Sequence, residues 1–156
     1  MVLIILSSPW LFFNETRPLI ANGNFVKAGK VENIFNTNRT DLYFMGRRYF
    51  RDPMLGATEF IKSQQCSNIG ITFDKLDIFE YPVWALLQTD SDKQYRIQHI
   101  AVENVSKIKE NKYPFKDFNP CLILDVEGDA LERLPSQVAN YIEGWRGNRT
   151  KVLIKR

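Results

Sequence analysis

The chain has 156 residues and a mass of 18.2 kDa, the length of one domain and enough to bury roughly 70% of its unfolded surface without a metal staple. A hydrophobic content of 44% and a charged content of 25% exclude a disordered tail, a collagen-like repeat and a disulfide-dense mini-protein. The net charge of +3, from 21 basic and 18 acidic residues, falls short of a nucleic-acid-binding face.

The chain opens MVLIILSSPWLFF. This apolar run is about half of the roughly 20 residues that a spanning helix needs. No basic stretch precedes it and no small-residue cleavage site follows, so it is a poor signal peptide. Two readings stay open. It is either a buried first element of the domain or the end of a membrane helix, residues 1–13, with Trp10, Phe12 and Phe13 as an interfacial aromatic belt and residues 14–156 as one soluble α/β domain.

Residues 14–37 lack a clean period and read as irregular. Asn38 is placed to cap a short helix through Arg47. The basic cluster Arg47, Arg48 and Arg51 reads as a solvated helix end rather than an anion-binding patch. Asp52-Pro53 starts a helix, because Asp accepts from free amides and Pro fits the first turn. Ala57, Phe60 and Ile61 continue it at helical spacing. NIGITF (68–73) is apolar on both faces and reads as a central strand. EYPVWALLQ (80–88) reads as a helix with Pro82 in its first turn. YRIQHIAV (95–102) suits an edge strand, and CLILDV (121–126) a second buried one. A helix carrying Leu131, Leu134, Val138, Tyr141 and Ile142 is expected next, and KVLIK (151–155) is a candidate closing strand.

Strands alternating with helices predict an α/β fold: a three-layer, Rossmann-like open sheet, mostly parallel, of three or four strands with helices on both faces. Strand 68–73 is expected in the middle, flanked by 95–102 and 121–126. Cys66 and Cys121 each stand before a strand. They read as two buried free thiols, with a bridge favoured instead in an oxidising compartment.

Ligands of such sheets sit at the carboxyl ends of the strands. That edge carries Asp74, Asp77 and Glu80 with Tyr81 after the first strand, and Asp125, Glu127 and Asp129 after the third. Carboxylates suit a divalent cation or sugar hydroxyls, and the competing reading is a solvated turn with a helix cap. The candidate ligand-binding residues are Asp74, Asp77, Glu80, Tyr81 and Glu127. No glycine-rich phosphate loop follows 68–73, so no nucleotide cofactor is expected. His99 is the single histidine and reads as a packing or surface residue, which leaves no histidine triad and no multi-histidine metal site. No catalytic or metal-ligating residue is assigned.

The phrases PWLFFNETRPL, IFNTNRTDLYF, CSNIGI, EYPVWALLQ, RIQHIAVENVS and FNPCLILDV, in this order, carry a resemblance. From about residue 8 to 126 the chain resembles the C-terminal extracytoplasmic region of bacterial multi-pass glycosyltransferases, the group of protein O-mannosyltransferases and the lipid A aminoarabinose transferase. It departs at ANGNFVKAGKVE, which looks like an insertion, and at FDKLDIF, which lacks a glycine before EYP. The resemblance implies that residues 1–13 end the last membrane helix and that the remainder lies outside the cytoplasm, on the periplasmic side. It implies an accessory, non-catalytic domain of an enzyme that takes sugar from a polyprenyl-phosphate donor. Its partners would be the membrane-embedded part of the same enzyme and a sugar or acceptor ligand, with no nucleic acid and no cofactor. The catalytic acid of that family sits in an early loop that has no counterpart here. The alternative is a free-standing α/β module that binds a small polar ligand or sugar through the acidic rim.

Overall fold

A computed structural model describes residues 33–73, 80–89, 93–100, 112–127 and 135–156, with isolated positions at 7, 9, 12, 19, 20, 102, 108, 109 and 132. The chain divides into two compact units, Met1–Arg51 and Asp52–Arg156. The boundary expected between residues 13 and 14 lies outside the described residues. Among the described residues, no helix is long and apolar enough to cross a membrane.

In the first unit the Asn33 side chain accepts from the Phe35 and Asn36 amides, closing a turn. Asn38 then caps α1 (Arg39–Tyr43), its side chain accepting from the Thr40 amide at 2.8 Å. The helix expected through Arg47 stops after five residues. The Phe44 amide bonds the Asp41 carbonyl and the Met45 amide that of Leu42, a tightening into three-residue turns that leads to a 3-10 turn at Arg48–Phe50. Two arginines of the basic cluster are engaged locally: Arg51 pairs with Asp41, and Arg47 donates to the Tyr49 hydroxyl.

Helix α2 (Arg51–Ser63) leads into the second unit and buries Met54, Ala57, Thr58 and Ile61. That spacing is one stripe of a helix turned to the core. The mixed α/β core of this unit is a five-stranded sheet of β1 (Asn68–Phe73), β2 (Arg96–His99), β3 (Leu122–Val126), β4 (Tyr141–Gly147) and β5 (Thr150–Lys155). The strand order is β2-β1-β3-β5-β4. β1 is flanked by β2 and β3, both parallel to it, as expected. β5 pairs antiparallel with β3 and with β4. Five strands therefore stand where three or four were expected, and parallel pairing is confined to one half of the sheet.

The additional strand is β4. The spacing of Val138, Tyr141 and Ile142 predicts a helix through these residues, but the helix here, α4 (Pro135–Val138), is a single turn. Gly144 and Gly147 weaken helix in this stretch. Asn148-Arg149 closes a hairpin, with Arg149 at φ 56°, so β5 supplies the hydrogen bonds that make 141–147 a strand. The ladder shifts register between Glu143 and Trp145, a bulge around Gly144.

Register sorts the core into two faces. Ile71, Leu124, Val152 and Trp145 form one row across the sheet. Helix α2 lies on this face: a Cβ built at Gly56 would stand 2.6 Å from Trp145 Cζ2. Helix α3 (Glu80–Gln88) shares it, because His99, level with Ile71, reaches Glu80, and Lys62 Nζ of α2 donates to the Thr89 carbonyl at 2.7 Å. On the opposite face Ile123 and Leu153 pack with Val138 and Tyr141, joined by Ile100. The cover expected from helices on that second face thus amounts, among the described residues, to the α4 turn.

Cys66 and Cys121 form a disulfide across the amino ends of β1 and β3, with Cα atoms 6.0 Å apart. This corrects the expectation of two free thiols. The parallel register that sets Ile69 beside Leu122 also sets the residues before the two strands side by side.

Candidate functional site

The chain leaves β1 for β2 on one side of it and then crosses to β3 on the other. The carboxyl edge where that direction reverses is the place open α/β sheets use for ligands. Three parallel strands end there, at Phe73, His99 and Val126.

On the β2 side, His99 Nε2 lies 3.2 Å from Glu80 Oε2, with side chains 30% and 44% exposed. Trp84 Nε1, one turn along α3, donates to Glu80 Oε1 at 3.4 Å. The Phe73 ring lies against the imidazole with centroids 5.5 Å apart. Glu80 is placed by α3, whose first turn also favours a carboxylate through its free amides. Tyr81 beside it is exposed. The result is a carboxylate–imidazole pair, open to solvent on one side and flanked by aromatic rings. Such a pair can accept from and donate to hydroxyl groups, and the rings offer the apolar faces that sugars stack upon.

On the other side, Thr72 and Asp125 are register partners and both are buried. Asp125 lies in register between Thr72 and Lys151. Glu127 follows β3 with φ 57°, and its amide donates to the Arg149 carbonyl at 2.7 Å while Arg149 Nη1 bonds Glu127 Oε1 at 3.1 Å. Glu127 is thereby fastened to the β4–β5 turn, which sequence reasoning took no account of.

The expected acidic rim is therefore divided. Glu80 and Tyr81 stand together at the start of α3 and join His99, whereas Glu127 turns to Arg149. Asp74, Asp77 and Asp129 lie outside the described residues. Among the described residues, no group of three or more His, Cys, Asp and Glu side chains is placed to hold a metal ion. His99 is the residue that sequence reasoning missed. Its position at the end of a strand beside the central one was the available signal, but pairing it with Glu80 needed the strand register.

No protein-family model matches the chain, and neither a curated protein nor a solved structure does.

Proposed function

We propose that the chain is an accessory, non-catalytic extracytoplasmic domain of a membrane glycosyltransferase that uses a polyprenyl-phosphate sugar donor. In this reading it helps to bind the acceptor or to cover the active site. The observation that carries the reading is the Cys66–Cys121 bridge. Disulfides persist in oxidising compartments and are rare in the cytosol, which agrees with the periplasmic side. The two cysteines also belong to two of the phrases behind the glycosyltransferase resemblance, CSNIGI and FNPCLILDV. With EYPVWALLQ and RIQHIAVENVS, these phrases supply β1, β3, α3 and β2, the parallel half that holds the candidate site.

The acceptor surface is assigned to Glu80, Tyr81 and His99. A carboxylate and an imidazole beside aromatic rings suit the hydroxyls of a sugar. The three-layer, Rossmann-like arrangement belongs to the same proposal, with α2 and α3 covering one face and α4 beginning the cover of the other.

The test uses the gene product. The coding sequence upstream of Met1 is read, alkaline phosphatase is fused after Arg156, and residues 14–156 are deleted from the encoded protein. Expected are several hydrophobic spans upstream, an active phosphatase, and loss of sugar transfer with donor binding retained. A reading frame that opens at Met1, with a product active as a soluble enzyme and a phosphatase fusion left inactive in the cytoplasm, overturns the proposal.

A further inference from the structure

The segment between β2 and β3 presents large apolar side chains to water. Tyr113 is 82% exposed, Ile108 63% and Phe115 40%. Single exposed apolar residues are ordinary, but Tyr113 and Phe115 stand exposed two positions apart on one hydrogen-bonded segment, and clustered exposed apolar side chains mark interaction surfaces.

The patch is held in place. The Phe115 and Lys116 amides both bond the Lys112 carbonyl, and the Phe118 amide bonds that of Phe115. Edge strand β2 fastens it from below: Arg96 Nη2 donates to the Pro114 carbonyl at 2.7 Å, and the Arg96 guanidinium lies 5.1 Å from the centre of the Phe118 ring. Tyr113 and Phe115 are thus presented to solvent from a fixed base.

Charge identifies the partner. Residues 107–118 contain Lys107, Lys109, Lys112 and Lys116 against Glu110 and Asp117, a local excess of two positive charges. The described lysines, 109, 112 and 116, are all exposed and alternate with the apolar residues. Protein interfaces are depleted in lysine and enriched in arginine. Lysines interleaved with aromatic rings are instead the composition of the membrane interface, where rings sit at headgroup depth and ammonium groups reach lipid phosphates. We infer that the 112–118 segment docks onto an anionic lipid surface, with Tyr113 and Phe115 inserted and Lys112 and Lys116 on the headgroups.

This inference stands apart from the transferase reading, since vesicle binding and sugar transfer are separate measurements. The experiment is hydrogen exchange of the full chain with phosphatidylcholine vesicles, with and without phosphatidylglycerol. A local readout is needed because the apolar run at residues 1–13 can enter bilayers by itself. Expected is slowed exchange across residues 112–118 on the anionic vesicles, reversed by salt. Lys112→Ala/Lys116→Ala weakens binding roughly fivefold for each lysine, and Tyr113→Ser/Phe115→Ser removes the slowed exchange. The lysine variant touches only exposed side chains and retains the fold, so it decides the matter if the aromatic variant fails to fold. Unchanged exchange on anionic vesicles, or slowing that the lysine variant leaves intact, overturns the inference.

Discussion

Cys66 and Cys121, 55 residues apart in the chain, are joined across the amino ends of β1 and β3 with Cα atoms 6.0 Å apart. The bridge closes the whole β1–α3–β2 crossover into one loop. Closing a loop of that length removes enough freedom from the unfolded chain to stabilise the fold by up to about 4 kcal/mol, with about 2–4 kcal/mol typical. Cys66→Ala/Cys121→Ala is expected to lower the unfolding free energy by that amount in urea, and a reductant should reproduce the loss in the parent chain. Equal stability with and without reductant would show two free thiols and remove the main support for an oxidising compartment.

Gly56 faces the Trp145 ring so closely that an added Cβ would lie 2.6 Å from Cζ2. The same ring stands 2.5 Å from where a Cβ of Gly147 would be, so it has little room to retreat. Alanine improves a helix by up to about 1 kcal/mol over glycine, but overpacking costs about 1–3 kcal/mol. Gly56→Ala is therefore expected to be net destabilising by about 1 kcal/mol, read as a lower thermal midpoint. Trp145→Phe in the same chain should relieve part of the loss, and the double-mutant cycle measures how much.

The Glu80–His99 pair is partly exposed, so it adds little to stability: a coupling of at most about 1 kcal/mol is expected from a double-mutant cycle. Its effect on function is expected to be larger. A hydrogen bond from a charged group to a ligand is worth about 1.5–3 kcal/mol. Under the proposed acceptor-binding role, Glu80→Gln in the encoded protein should thus raise the KM for acceptor by roughly tenfold or more, with the thermal midpoint little changed. A KM that stays at the parent value would remove Glu80 from the acceptor surface.

Burial raises the Tyr141 hydroxyl above its ordinary pKa of 10.0. That hydroxyl donates to the Pro120 carbonyl next to Cys121. The fold prefers the neutral phenol, so the contribution is complete below about pH 10 and is lost as pH rises through the elevated value. Urea unfolding from about pH 8 to about pH 11 should show a falling limb that Tyr141→Phe flattens. At neutral pH the same substitution should cost about 1 kcal/mol through the lost hydrogen bond.

Much of the parallel half was legible along the chain. Asp52-Pro53 and the stripe through Ile61 marked α2, and two short runs apolar on both faces marked β1 and β3 as neighbours in a buried sheet. The polar-apolar mixture of YRIQHIAV marked β2 as an edge. These features depend on neighbours within a few residues, so local pattern suffices. Residues 141–147 were misread because Val138, Tyr141 and Ile142 fit a helical period as well as a strand, and only the β5 backbone distinguishes the two.

The candidate site was half legible for the same reason. Asp74, Asp77, Glu80, Tyr81 and Glu127 are expected at the carboxyl edge from the order of strands; Glu80, Tyr81 and Glu127 are described there, and Asp74 and Asp77 lie outside the described residues. Their partners were not foreseen. Register brings His99 level with Ile71 and within reach of Glu80, and the β4–β5 turn brings Arg149 to Glu127.

The amino-acid sequence by itself determined α2, α3 and the strands β1, β2 and β3, because capping residues and apolar spacing act over one or two turns of chain. The tertiary structure alone decided that Cys66 meets Cys121, that Glu80 meets His99, and that a fifth strand completes the sheet. Each of these is a contact between segments distant along the chain, and its free energy exists only once the strands have taken their places.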